Sequence, residues 1–220
     1  MTEQTRRPVV ILGAGRHGRN AADIFRWSGW TLLGFLDDTK QPGTEVVGVK
    51  VLGGFAMARD HELLQRAALH VAIGNSIIRK KLTEELTAHG AALASAIHPS
   101  AVISPYAVLE DGLFVAPFVR IAPIVRIGIG GILDPFCTIG GETDLGAYTM
   151  IGAHCSVVAG SRIGAGTFLG THTSVLGVSI GAGCIVGAGS VVLRDLPDGV
   201  RAFGSPAKVV GPADWSRPPV

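Results

Sequence analysis

From Ile103 to Val175 an aliphatic side chain recurs at every sixth position: Ile103, Leu109, Val115, Ile121, Ile127, Leu133, Ile139, Leu145, Ile151, Val157, Ile163, Leu169 and Val175. A period of six fits neither the 3.6-residue turn of a helix nor the two-residue alternation of a strand. It predicts a solenoid in which each hexad forms one short flat side and three hexads close a triangular coil. Each aliphatic points inward and stacks on the residue eighteen positions away, so no repeat buries its own core. Glycine often follows, as at Gly128, Gly146, Gly152, Gly164 and Gly170. There the chain turns, and a larger side chain would crowd the next coil. The expected fold is an all-β left-handed parallel β-helix. Past Val175 the series slips once, with Ile180 after five residues, and resumes at Val186 and Val192.

Ahead of Ile97 the pattern changes. Val9–Leu12 reads as a buried strand, residues 19–27 as a helix, and Thr31–Leu36 as a second strand. Helical patterns over 55–68 and 77–89 flank a strand at 70–73. This alternation predicts a small α/β, Rossmann-like half-domain with a parallel sheet. Residues 1–95 are assigned to it, 96–195 to the β-helix, and 196–220 to a proline-containing arm expected to leave the solenoid and cover its open end.

The low charged fraction, 16% against 47% hydrophobic, suits a solenoid whose faces are covered by neighbouring subunits. A net charge of +2 with scattered basic residues gives no footing for nucleic acid. Cys137, Cys155 and Cys184 form no C-x-x-C pair and read as small fillers in a reducing compartment. No stretch reaches the ~18 apolar residues of a membrane span, and the first residues carry no leader pattern, so a cytoplasmic protein is expected.

Gly13, Gly15 and Gly18 form a G-x-G-x-x-G between the first strand and helix. Such glycines let backbone N–H groups approach a phosphate at a helix N-terminus. Asp37, at the end of the second strand, is placed to accept hydrogen bonds from a ribose or a base edge. The same pattern also arises from tight packing alone. His17 either bridges a phosphate or faces solvent.

The combination of halves resembles the bacterial nucleotide-amino-sugar N-acetyltransferases and sialic acid O-acetyltransferases of the NeuD/PglD type. The carriers are ILGAGRHGR, GFLDD (34–38), VLGG (51–54), VAIGN (71–75), IHPSAVIS (97–104), IVGAGSVVLRDLP and GSPAK (204–208). The resemblance implies a nucleotide-sugar held by Gly13, Gly15, Arg16, His17, Gly18, Asp37 and Asp38. It implies a homotrimer with acetyl-CoA between subunits, near Gly170, His172, Gly187, Ala188, Gly189, Ala207 and Lys208. One departure matters. The family's His-Asp, its general base and acidic neighbour, falls on Gly141-Glu142, and a second histidine falls on Met150.

Two replacements for the base are open. His154 and His172 lie one coil apart on one wall, either as stacked polar residues or with one serving as proton acceptor. Glu142 would serve if burial raised its pKa. The leading expectation is an acyl-CoA-dependent N- or O-acyltransferase acting on a nucleotide-linked sugar. The alternative is a non-catalytic trimer that keeps its ligands. A β-helical metal hydratase needs three converging histidines, and the solenoid has no His-x-x-x-x-His pair, so no metal is expected. A nicotinamide oxidoreductase would need a second mononucleotide half.

Overall fold

The computed structural model describes residues 7–216. The leader reading over residues 1–6, and the last four residues of the predicted arm, lie outside that range. The N-terminal half is a five-stranded sheet in the order β3-β4-β2-β1-β5: β1 Val9–Leu12, β2 Leu32–Leu36, β3 Glu45–Val46, β4 Val49–Gly53 and β5 Ala68–Val71. β1 lies parallel to both β2 and β5 and is wholly buried, as its four aliphatics require. The antiparallel β3–β4 edge hairpin was not foreseen from the sequence.

Helix α1 spans Arg16–Trp27, three residues longer at its start than the periodicity indicated, because Gly15 is the extended N-cap. The helical pattern over 55–68 splits into a 3-10 turn (Phe55–Arg59) and α2 (His61–Arg66). The break is local: the Asp60 side chain accepts from Leu63 N and starts a new helix. Helix α3 (Ser76–Ala88) is capped by Asn75, whose Oδ1 accepts from Ile77 N and Ile78 N.

From β6 (Ala96–Ile97) to β22 (Val191–Val192) the chain forms two-residue strands that pair in parallel with the strand one coil away. They build three sheets, one per face of the solenoid. The first face points Phe114, Ile132, Met150, Phe168 and Ile185 outward, the second Arg120, Thr138, Ser156, Ser174 and Val191, and the third Val108, Arg126, Asp144, Arg162 and Ser179. The inward aliphatics from Ile121 to Val192 are buried. Crowding between coils explains the glycines: a Cβ on Gly128 would stand 2.5 Å from Ala147 N.

The predicted arm requires correction at its start. Leu196 bridges Ile180, and β23 (Val200–Phe203) runs parallel to β21 (Ile185–Val186). The coil therefore continues to Phe203, with buried Leu196 and Ala202 as its inward residues. A hexad reading misses this rung because each residue lies sixteen, not eighteen, positions after its partner. Only then does β24 (Lys208–Pro212) fold back antiparallel on β23.

The two halves are joined by a buried cation. Arg79 of α3 donates from Nε to Gly130 O (2.8 Å) and from Nη2 to Tyr148 O (2.7 Å), both in the solenoid. Its Nη1 donates to Ile73 O and Gly74 O, in its own half. Burial lowers its pKa to about 10, which leaves it charged at pH 7, and four carbonyl dipoles replace its water.

Candidate functional site

The glycine loop is built for close approach. Gly13 has φ +99°, and any Cβ on Gly18 would collide with Gly13 O, so α1 can cross this near to β1 only with glycine there. Gly13 and Gly18 are buried and shape the loop; Gly15 and Arg16 are exposed at its rim. Gly15 brings no side-chain cap, so the first N–H groups of α1 have no partner within the helix. That is the arrangement that receives a phosphate.

Two expectations about this loop change. Asp37 is buried, and both of its oxygens are engaged. Oδ2 accepts from Ala14 N (2.7 Å), and Oδ1 accepts from Thr39 N (2.9 Å) and Thr39 Oγ1 (2.6 Å). These bonds outweigh the opposing effect of burial and hold its pKa below the usual carboxylate value. Asp37 thus braces the loop instead of reaching for a ribose. Asp38 is exposed, with Oδ1 accepting from Phe55 N (2.7 Å) and the rest of the carboxylate open. His17 does not face solvent. Its ring lies 4.5 Å from Phe114 of the solenoid, with Nε2 buried and unpartnered. Burial, then the nearby His70 and Arg79, push its pKa down to about 3, so the imidazole is neutral.

On the solenoid, the corner between the first and second faces carries a column of rings: Phe118, Phe136, His154 and His172. Successive centroids are 5.0, 4.8 and 4.8 Å apart, with interplanar angles of 18°, 8° and 1°. All four residues have φ near +60°, which costs roughly 1–2 kcal/mol each for a side chain other than glycine. The two histidines stack as their spacing predicts; the phenylalanines beneath were readable from the same spacing and were missed. Both imidazoles are exposed. Ala188 and Gly189 are exposed one coil above His172, and Lys208 is exposed at the start of β24. Ala207 is half-buried, its N–H donating to Val191 O. Gly170 and Gly187 are different. They are buried, and their N–H and C=O groups bond within the coil stack, so they set coil spacing and offer no contact to a cofactor.

The next corner, between the second and third faces, holds Gly141 and Glu142. Glu142 is exposed, so the burial that would make it a base is not supplied by its own chain. A Cβ on Gly141 would stand 3.2 Å from Pro123 O, close enough that the backbone there must give by a few tenths of an ångström. A group the sequence reading passed over lies at the ring corner. Asp134 is half-buried, and burial alone raises its pKa to about 6. His98, read as a structural turn, binds Ser100 N and Ser100 Oγ through Nδ1. The cysteines are free and buried, with their thiols aimed at coil carbonyls. Among the described residues no helix is long and apolar enough to cross a membrane.

Fold and loop together define a hexapeptide-repeat β-helix protein with an appended half-domain of nucleotide-binding type. The family model for the PglD N-terminal domain matches residues 8–86. Perosamine N-acetyltransferase from Caulobacter crescentus, solved as a histidine-to-asparagine variant with CoA and GDP-perosamine, is 38% identical. The match covers 93% of this chain and 97% of that one, with a TM-score of 0.88. The acetyltransferase domain of PglB from Neisseria gonorrhoeae, solved with acetyl coenzyme A, is 29% identical, covering 93% of this chain and all of that one, at TM-score 0.75. GDP-perosamine N-acetyltransferase of Escherichia coli O157:H7 is 30% identical over 125 residues; the chain spans about half the length (55%) of that curated relative. The chain belongs to the NeuD/PglD-type family of hexapeptide-repeat sugar acetyltransferases.

Proposed function

We propose that this protein transfers an acetyl group from acetyl-CoA to the amine of a nucleoside-diphosphate amino sugar, with a GDP-linked 4-amino sugar such as GDP-perosamine as the first substrate to test. The observation that carries this reading is near-full-length similarity to an enzyme solved with CoA and that sugar nucleotide. The open N-terminus of α1 and the exposed carboxylate of Asp38 supply the chemistry a nucleoside diphosphate needs. Acetyl-CoA would run along the ring corner, past His172, Ala188 and Gly189 toward Ala207 and Lys208.

The functional unit is a homotrimer in the cytoplasm. Outward residues of the second face carry one charge, Arg120, and its flanking corners expose Phe118 (59%), Phe136 (50%) and Ile124 (60%), a surface that favours cover by another copy. In the reaction the amine attacks the thioester carbonyl, a backbone N–H steadies the oxyanion, and the groups at the ring corner, His154 among them, take part in removing the proton. A second reading, a binding protein without turnover, is favoured by Gly141 and Met150 at the family's histidine positions. Release of CoA thiol from acetyl-CoA in the presence of GDP-perosamine supports the first reading. Binding of both ligands without thiol release, by a trimeric protein, supports the second.

A further inference from the structure

Between His98 on the first coil and Phe203 on the last, the residues that follow the inward aliphatics of the first face form a ladder: Ala116, Asp134, Gly152, Gly170 and Gly187. All but one have no side chain beyond a methyl, and the reason is spatial. A Cβ on Gly152 would stand 2.8 Å from Leu169 O and Thr171 N. Between those two ends only Asp134 places a polar group here. Its backbone is ordinary, with N–H donating to Ile151 O at 2.9 Å. Its carboxylate is half-buried and has no cation or hydrogen-bond donor as partner among the described residues. An unpaired carboxylate in this place costs folding free energy and adds no packing that glycine or alanine would lack. A local conflict of that kind marks a position kept for function.

Its surroundings supply the second half of the argument. Asp134 lies under Gly152, and the two residues after it, Pro135 and Phe136, lie under Ala153 and His154. His154 N donates to Pro135 O (3.0 Å), and the rings of Phe136 and His154 stack at 4.8 Å. Asp134 therefore stands at the corner that carries the exposed imidazoles.

We propose that Asp134 is the general base of the acetyl transfer, at a different corner from the one where Gly141 leaves no proton acceptor. This rests on the acetyltransferase reading above. The amine lone pair forms the N–C bond to the thioester carbonyl carbon, and an N–H proton passes to the carboxylate of Asp134. Collapse of the adduct breaks the C–S bond. The sulfur leaves with the electron pair and takes that proton back, directly or through the imidazole of His154. The products are the amide and CoA thiol, and Asp134 is ionised again.

With a pKa raised to about 6 by burial, the group is ionised at pH 7 and more basic than an ordinary carboxylate. The titratable groups that interact with it are Cys137 on its own coil and Cys155 on the next; its carboxylate forms no ion pair among the described residues.

The test is Asp134→Asn in the full-length protein, assayed as CoA thiol release with GDP-perosamine from pH 5 to 9. Wild-type kcat/KM should fall on the acid side with a limb near pH 6. In the variant, kcat should drop on the order of 10²-fold or more and the limb should vanish, with KM for acetyl-CoA within about threefold of wild type. If Asp134→Asn does not fold, Asp134→Gly, which gives the ladder its commonest residue, replaces it. A folded variant with wild-type kcat and an unchanged limb overturns the proposal and leaves the acetyltransferase reading standing. A wild-type protein that binds both ligands and transfers nothing overturns both.

Discussion

Two corners flank the second face of the solenoid. They share a backbone, with a left-handed residue at the apex of each turn, and differ in what they hold. One carries four stacked rings and a half-buried carboxylate. The other carries Gly141, with no side chain, and Glu142, exposed. A repeat architecture fixes where side chains stand and leaves open which of them reacts. Chemistry can therefore sit at either corner without a change in fold, and the loss of a group at one does not decide whether the protein is active.

The largest effect that would sharpen this contrast is at His154. His154→Ala should lower kcat on the order of 10²-fold if the imidazole passes the proton, whereas Glu142→Gln should cost less than about threefold. Steady-state kinetics showing the reverse order would move the chemistry to the other corner. Next, Gly141→His with Glu142→Asp, made in the Asp134→Asn background, should raise kcat at least about tenfold over that background. The space beside Pro123 O admits the new side chain with a small adjustment. No gain in thiol release would mean that the two corners do not serve one groove.

A smaller effect concerns stability. The folded-state pKa of Asp134, about 6, lies above the ordinary aspartate value of 3.8. The folded form thus binds the proton more tightly, a contribution fully present below pH 3.8 and lost as pH rises through 6. Asp134→Asn should therefore be more stable than wild type at pH 7.5, by about 1–2 kcal/mol after allowing for partial exposure, and lose that advantage at pH 4. Paired thermal melts at the two pH values read the difference. The smallest effect belongs to the loop. Asp38→Ala should weaken nucleotide-sugar binding roughly tenfold while leaving CoA binding alone, as calorimetry with each ligand would register. Asp37→Ala should chiefly lower Tm, because its carboxylate holds Ala14 and Thr39 and not a ligand.

The solenoid was legible because a six-residue period is global: one slip at Val175–Ile180 stands out against so long a run. The final rung at Leu196 and Ala202 was not, because its shortened spacing looks like the end of the repeat. At the glycine loop, residue types indicated the motif, yet not which carboxylate would be spent inside the protein. The distinction between Asp37 and Asp38 depends on whether the chain after β2 turns back on Ala14 or toward Phe55, which is tertiary information. His17 was misjudged for a similar reason, since its partner Phe114 lies almost a hundred residues away. Asp134 did leave a local sign, as the one large residue from Ala116 to Gly187 in a run otherwise of glycine and alanine. The sign is visible only once the residues after the core aliphatics are compared with one another.

The Arg79 bridge has a consequence for how the molecule comes apart. Its guanidinium ties carbonyls of both halves, so separating them breaks its bonds to Gly130 O and Tyr148 O, each about 1.5–3 kcal/mol for a hydrogen bond to a charged group. The half-domain and the β-helix should therefore melt in one cooperative transition, despite their different architectures. Replacing Arg79 with methionine should split that transition in two in a calorimetric scan, because an apolar side chain fills the space without chaining the halves together.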